Sequence, residues 1–386
     1  MDAQDLKEIL RVFENLTDPR KNNRHYLLGD IILLAISAVM CGCDGWQDIE
    51  DWTCDALAFI EPLMQKPEHG TPSADTFRRV IARLSPEEFE RCFVLWTSCV
   101  KANAKSSGEC SGQNIAIDGK CLRRSFTHAW ENNPLHMVSA FATEHQLILG
   151  QLKVDCKENE IVAIPRLLDS LDVKGSTVSI DAIGCQKDIA RKIVKGKGHY
   201  VLALKENQKS LYQSVKNFLD DAILDNFKDL RHDYFEETTG DHGRIETRKI
   251  WICDEMRWIK MAEEWPCLRQ VVVVERRREL PGKAAATERS YYIASHRTLD
   301  AQRTAGVIRS HWGIENRVHW VLDMSFDEDR SRIRREDGPE NFARLRRMVL
   351  NKLRAYVDPS GKKRSLRMKR KLCGWNFNYF MQVLAA

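Results

Sequence analysis

Two textures of hydrophobic and polar positions divide the chain. Up to about residue 105 the apolar positions recur at helical spacing. IILLAISAVMCGC, Ile31 to Cys43, is continuously apolar between Asp30 and Asp44, too short for the roughly 20 residues that cross a bilayer, and reads as a buried helix. In PSADTFRRVIARL, Ser73 caps a second helix whose polar side carries Arg78, Arg79 and Arg83. In SPEEFERCFVLW, Ser85 is the N-cap, Pro86 the first helical residue and Glu88 the closing member of a capping box. Two helices about a tight turn fit a DNA-reading pair, and equally any helical bundle.

The polar segment Lys101 to Asn114 ends this region. Beyond it NIAID, HMVSAFAT and LILGQLKV read as three strands, EIVAIPRLLDSLD as a helix, TVSIDAI as a strand, QKDIARKIVK as a helix and HYVLALK as a fifth strand. That order predicts an α/β mixed sheet, a meander followed by crossover strands. From about Asn207 to Ser295 a helix precedes more strand-like runs, RIETRKIWIC, RQVVVVERRRE and ERSYYIAS. Helices then return through GPENFARLRRMVLNKLRAYV.

Length and composition set the class. With 386 residues and 43% hydrophobic content the chain can bury a large core in two or three domains. No secretory leader opens MDAQDLKEIL, and the twelve cysteines are scattered, which predicts reduced thiols in the cytoplasm and no membrane association. The net charge of +5 is uneven. Arg330 to Lys371 holds sixteen Lys or Arg against four acids, a net +12, which predicts contact with a polyanion.

IRSHWGIENRVHWVLDMSF, Ile308 to Phe326, adds chemistry. At helical spacing Glu315 falls within a stripe of Ile308, His311, Trp312, Val318, His319 and Leu322. A carboxylate in apolar surroundings needs a cation, an ion pair or a proton. Two predicted strands end in aspartates, Asp118 and Asp181. If those strands are parallel neighbours, both acids and Glu315 can share a metal ion. Each aspartate also suits a turn start. His311, Glu315 and His319 invite a zinc reading, but the aspartates supply hard oxygens that favour magnesium or manganese.

IAIDGK, SIDAIGCQ and HWGIENRVHWVLDMSFDED resemble the three acidic signatures of DDE transposases, most closely the H-repeat-associated insertion-sequence transposases. NPLHMVSAFA, LALKENQ and DHGRIETR are family-like too. The resemblance implies a ribonuclease-H-like core and an all-helical, DNA-binding N-terminal domain at 1–105. The catalytic domain would comprise 112–206 and 296–357, a mostly β insertion 207–295, and a basic tail 358–386. Asp118, Asp181 and Glu315 would hold two Mg²⁺ ions, with Mn²⁺ as substitute, for hydrolysis at element ends and 3′-OH strand transfer into target DNA. Where related cut-and-paste enzymes place a tyrosine, an arginine and a lysine around the glutamate, this chain has Ile308, His311 and Leu322, so the resemblance does not by itself imply their hairpin intermediate, and processing of the second strand stays open between a hairpin and another route.

DNA contacts are expected from Lys205, from Arg244 and Arg248, from Arg332, Arg334 and Arg335, and from Arg78 and Arg79, with Trp251 available for stacking. His311, His319 and Asp323 are candidates for support around the acids. Asp323, Asp327 and Asp329 are expected to pair with the arginines at 332, 334 and 335. The expected partners are the element's terminal repeats, target DNA and a second copy in the reacting complex, at the nucleoid. Alternatives are an inactive or domesticated copy that only binds DNA, and a stand-alone nuclease.

Overall fold

The computed structural model describes residues 10–21, 24–103, 112–125, 134–154, 159–241, 244–282 and 284–386. Most of the expected boundary at 101–114 lies outside them, as do residues 1–9, Asn133 of NPLHMVSAFA and the His242-Gly243 pair of DHGRIETR.

The N-terminal helices are α1 (Leu28–Met40), α2 (Trp46–Asp55), α3 (Ala74–Ala82) and α4 (Pro86–Asn103). Every side chain of α1 from Asp30 onward is buried, as its unbroken apolar run requires. Asp30 survives there because it accepts the backbone N–H groups of Gln65 and Lys66 at 2.9 and 3.1 Å. Ser73 caps α3 by accepting Thr76 N–H. Half of the predicted capping box at α4 forms: Ser85 Oγ accepts Glu88 N–H at 3.3 Å. The Glu88 carboxylate instead accepts from the backbone N–H and hydroxyl of Thr17. Phe89, Phe93, Trp96 and Val100 bury one face of α4.

Nine strands form one sheet, in the order β3-β2-β1-β4-β5-β9-β8-β7-β6. They are β1 (Asn114–Leu122), β2 (Leu135–Ala142), β3 (Leu147–Val154), β4 (Thr177–Ile180), β5 (His199–Leu204), β6 (His232–Asp241), β7 (Arg244–Cys253), β8 (Gln270–Glu279) and β9 (Ala286–Ala294). The predicted meander is β1–β2–β3, antiparallel, and β4 and β5 join it in parallel. Helices α5 (Glu160–Asp169) and α6 (Lys187–Lys195) make the crossovers. The segment read as an insertion contributes α7 (Lys209–Leu224) and four strands that continue the same sheet, because β9 pairs antiparallel with β5.

On one face Ile115, Ile117, Val178, Ile180 and Leu202 pack with Ile164, Leu167, Ile189, Val215 and Leu219 of the crossover helices and α7. On the other, Ala116, Phe141 and Ile148 share a continuous apolar cluster with α1, α4 and the C-terminal helices. Ahead of them, α8 (Ala301–His311) packs Ala301, Val307 and Ile308 on Val201, Ile250 and Val272 in a separate cluster; the C-terminal helices that share the larger one are α9 (Trp320–Phe326), α10 (Gly338–Ala355), α11 (Leu366–Trp375) and α12 (Phe377–Ala385).

Helix α10 is buried on nearly every side, so its own basic residues do not form part of a polyanion surface. Arg344 pairs with Glu90 at 2.7 Å and Glu340 at 2.6 Å, and Arg347 pairs with Glu328 at 2.7 Å. Asn351 accepts from Ile148 N–H and donates to its carbonyl, both at 2.9 Å, so it satisfies a strand edge. Arg370 on α11 pairs with Asp44 at 2.6 Å. Arg344, Arg347 and Arg370 therefore join elements inside the fold, whereas Arg330, Arg332, Arg334, Arg335, Lys362, Lys363, Arg367 and Lys371 remain exposed. The stretch read as a basic tail is α11 and α12, with Tyr379, Phe380, Val383 and Leu384 buried.

Among the described residues no helix is long and apolar enough to cross a membrane, and the described cysteines are free thiols.

Candidate active site

Parallel pairing sets the first two acids side by side. Ile117 on β1 lies opposite Ile180 on β4, and the next residues in each strand direction are Asp118 and Asp181. Asp181 also makes the turn its type favours, since its Oδ1 accepts the N–H groups of Ile183 and Gly184 at 3.1 and 3.3 Å. Asp118, Asp181 and Glu315 line one cavity of about 630 Å³.

The segment carrying Glu315 corrects the helical stripe. It is not one regular α-helix: Glu315 to His319 forms a π-turn between α8 and α9. Its wider winding breaks the 3.6-residue spacing. Val318, His319 and Leu322 are buried, whereas Trp312 and Glu315 are exposed at the cavity's mouth.

Burial first, and then the negative charges of Asp181, Glu160 and Glu315, raise the Asp118 carboxyl to about 7; the Gly119 N–H opposes them. None of the three acids forms an ion pair with a lysine or arginine among the described residues. Unscreened carboxylates with hard oxygens and no cationic partner suit a divalent ion. In the arrangement described, no three His, Cys, Asp or Glu side chains already stand close enough to hold one.

The two histidines take separate tasks. His311 Nδ1 lies 3.1 Å from Ser179 Oγ, and burial lowers its basicity. His319 Nδ1 lies 3.7 Å from Asp118 Oδ2, and burial, then Arg347 and Lys120, push its pKa down to about 3. A neutral ring therefore packs against Asp118.

Lys120, two residues beyond Asp118 on the same face of β1, is a residue the sequence reading missed. It is 7% exposed and contacts Asp323, Glu328 Oε2 (3.4 Å), Asp329 Oδ1 (3.8 Å) and the His319 carbonyl (3.5 Å). It pins β1 to the π-turn and α9. A lysine on an otherwise inward-facing strand position was the available signal. This overturns the expected pairing: Asp323 and Asp329 turn to Lys120, Asp329 also to Arg123 at 3.4 Å, and Asp327 to Arg330 at 3.7 Å.

The proposed DNA-contact residues scatter. Lys205, after β5, is exposed and lines the acid cavity. Arg244 and Arg248 both reach the buried carboxylate of Glu246, and Arg248 also reaches Glu237 at 3.2 Å. Arg332, Arg334 and Arg335 are exposed, Arg334 donating to the Arg124 carbonyl at 3.0 Å. Arg78 and Arg79 both pair with Asp75. Trp251 packs among Phe227 and Tyr234, so it is not presented for base stacking.

Known proteins resemble this chain in sequence over nearly all of its length. The family model "DDE_Tnp_1-associated" matches residues 10–97, and "Transposase DDE domain" matches 110–352. The "H repeat-associated putative transposase YhhI" of Escherichia coli (strain K12) is 37% identical over 387 residues, 99% of this chain and 98% of that one. "Putative transposase YncI" of Escherichia coli O157:H7 is 36% identical over 392 residues, 100% and 96% of the two chains. A solved piggyBac transposase synaptic complex with hairpin DNA overlaps 98% of this chain and 77% of that one, at 12% identity and a TM-score of 0.44. By sequence, over nearly its whole length, this chain belongs to the H repeat-associated transposase family, whose hallmark is the transposase DDE domain.

Proposed function

We propose that the protein is a DNA transposase that cuts the ends of an insertion-sequence-like element and joins the freed 3′-OH to target DNA. The observation that carries this reading is the convergence on one cavity of three acids remote in sequence, two of them just past the last residue pair, Ile117 and Ile180, of the parallel β1–β4 ladder; β1 itself runs on to Leu122, so Asp118 stands within the strand rather than at its predicted end. The strand order β3-β2-β1-β4-β5, with its two crossover helices, supports a ribonuclease-H-like core.

Asp118, Asp181 and Glu315 would hold two Mg²⁺ ions, or Mn²⁺ in their place, with the exposed Glu315 changing rotamer to complete the set. When bound, such ions lower the pKa of an attacking hydroxyl and stabilise the leaving oxygen in displacement at phosphorus. Asp118 is the proton-sensitive member, since it must ionise to bind. Neutral His319 limits its movement, and Lys120 fixes β1 against the segment that carries Glu315. Lys205, at the next strand end, is suited to hold a phosphate beside the acids. Bringing two element ends together calls for a second copy of the chain, and DNA as substrate points to the nucleoid.

The test is incubation of the purified protein with its inverted-repeat DNA and Mg²⁺, beside Asp118→Asn. The parent cuts and joins; the variant binds but does neither. Binding without cleavage by both would reduce the protein to a DNA-binding factor, and cleavage without joining would make it a nuclease.

A further inference from the structure

A second groove, about 800 Å³, adjoins the acid cavity and shares Arg276, Ile308 and Trp312 with it. Its floor is the outer part of the β7–β8 pair, and its wall is the end of α8 and the residues that follow. Strand register concentrates positive charge there. Arg248 on β7 lies directly opposite Arg276 on β8, and Glu246 opposite Arg278. Like charges facing each other across a strand pair repel.

Glu246, 5% exposed, is the shared counter-charge. Arg244 and Arg248 contact it, and the Nε atoms of Arg276 and Arg278 lie 3.4 and 3.6 Å from it. Arg309 on α8 pairs with Glu237 at 2.9 Å, which also receives Arg248. Five guanidiniums thus face Glu246 and Glu237, with Glu288, directly opposite Arg276 on β9, as a third carboxylate on the acid-cavity side; Arg317 and Glu144, also lining the groove, add one charge of each sign, so a positive surplus remains. The Nε of Arg276 is buried without a hydrogen-bond partner. An isolated fold gains nothing from this surplus, whereas an extended anion would neutralise it.

Resting on the transposase reading, we infer that this arginine face is a phosphodiester seat that holds the DNA strand leading into the acid cavity, with Glu246 spacing the guanidiniums. Same-face residues such as Arg276 and Arg278 stand about 7 Å apart along a strand, a step comparable with that between neighbouring phosphates of a nucleic-acid strand. Arg276, shared by both cavities, sits at the passage between them. The contacts are to backbone, so they carry affinity rather than sequence choice.

The experiment measures binding of a fluorescein-labelled 30-base-pair DNA duplex by anisotropy between 50 and 200 mM NaCl, without divalent metal. Each phosphate contact contributes about 0.9 to the slope of log affinity against log salt. The double variant Arg276→Gln/Arg278→Gln is expected to flatten that slope by about 2, while Arg276→Lys/Arg278→Lys and Asp118→Asn keep the parent's. An unchanged slope in the glutamine variant overturns the inference, and so does an equal flattening in the lysine variant, which would trace the loss to fold rather than charge. Because no cleavage is read, failure of the transposase reading appears separately, as a parent that shows this salt dependence yet never cuts DNA with Mg²⁺.

Discussion

Replacing Asp118 by asparagine should stabilise the metal-free protein, and more so as pH rises. Burial and the neighbouring carboxylates lift the Asp118 carboxyl from 3.8 to about 7, which corresponds to about 4 kcal/mol between its two protonation states. With the folded pKa above the unfolded one, the native state holds the proton more tightly. The stability so contributed is complete below pH 3.8 and is lost as pH rises through 7. About 3 kcal/mol of that loss falls between pH 5 and 8. The asparagine side chain cannot ionise and escapes it, apart from about 1–2 kcal/mol for burying its own amide. Urea unfolding with EDTA at pH 5 and pH 8 measures the difference directly. The advantage of Asp118→Asn should grow by about 3 kcal/mol between the two. Millimolar Mg²⁺ should then raise the melting temperature of the parent at pH 8 and leave the variant unmoved. A variant whose advantage is the same at both pH values would refute the reasoning.

Three further outcomes test the packing around the site. Lys120→Met leaves Asp323, Glu328 and Asp329 facing one another without their shared cation; a loss of about 3–5 kcal/mol in urea unfolding is expected. Gly119→Ala would bring a Cβ within 2.0 Å of Glu160 Oε1, the far end of a flexible side chain that can swing aside, so the melting temperature should fall by the equivalent of no more than about 1 kcal/mol, and Glu160→Ala in the same chain should restore it. Asn351→Ala strips the partner from Ile148 N–H, while the Ile148 carbonyl keeps the Thr97 hydroxyl at 3.4 Å; a cost of about 1–3 kcal/mol for the orphaned N–H is expected, with faster amide exchange at Ile148.

Strands, crossovers and two of the acids were legible because they rest on local rules. Alternation marked β1 to β5, and an aspartate closing an apolar run marked the end of β4 correctly at Asp181; at Asp118 it marked only the end of the parallel pairing, since β1 continues to Leu122 beside β2. Glu315 was found for a reason that did not hold: the regular helical stripe is interrupted by a π-turn, whose winding depends on tertiary packing rather than on spacing. Long-range pairing was equally hidden. Nothing local announces that β9 joins β5, so the strands after Asn207 looked like a separate insertion. Charge counting could not separate surface from interior for the same reason, since Arg344 and Arg347 have partners, Glu90 and Glu328, that only the folded chain brings near, while Arg332, Arg334 and Arg335 stay exposed.

The burial of α10 also bears on how the chain is made. Its partners on α1 and α4 leave the ribosome some 240 residues or more before it does, so the early helices emerge with oily flanks uncovered and wait for the last third of synthesis to bury them. Such a protein has few places where it can be shortened. A copy that stops before residue 338 lacks the rod through its middle, and is expected to be cleared by proteases or to aggregate rather than persist as a working half.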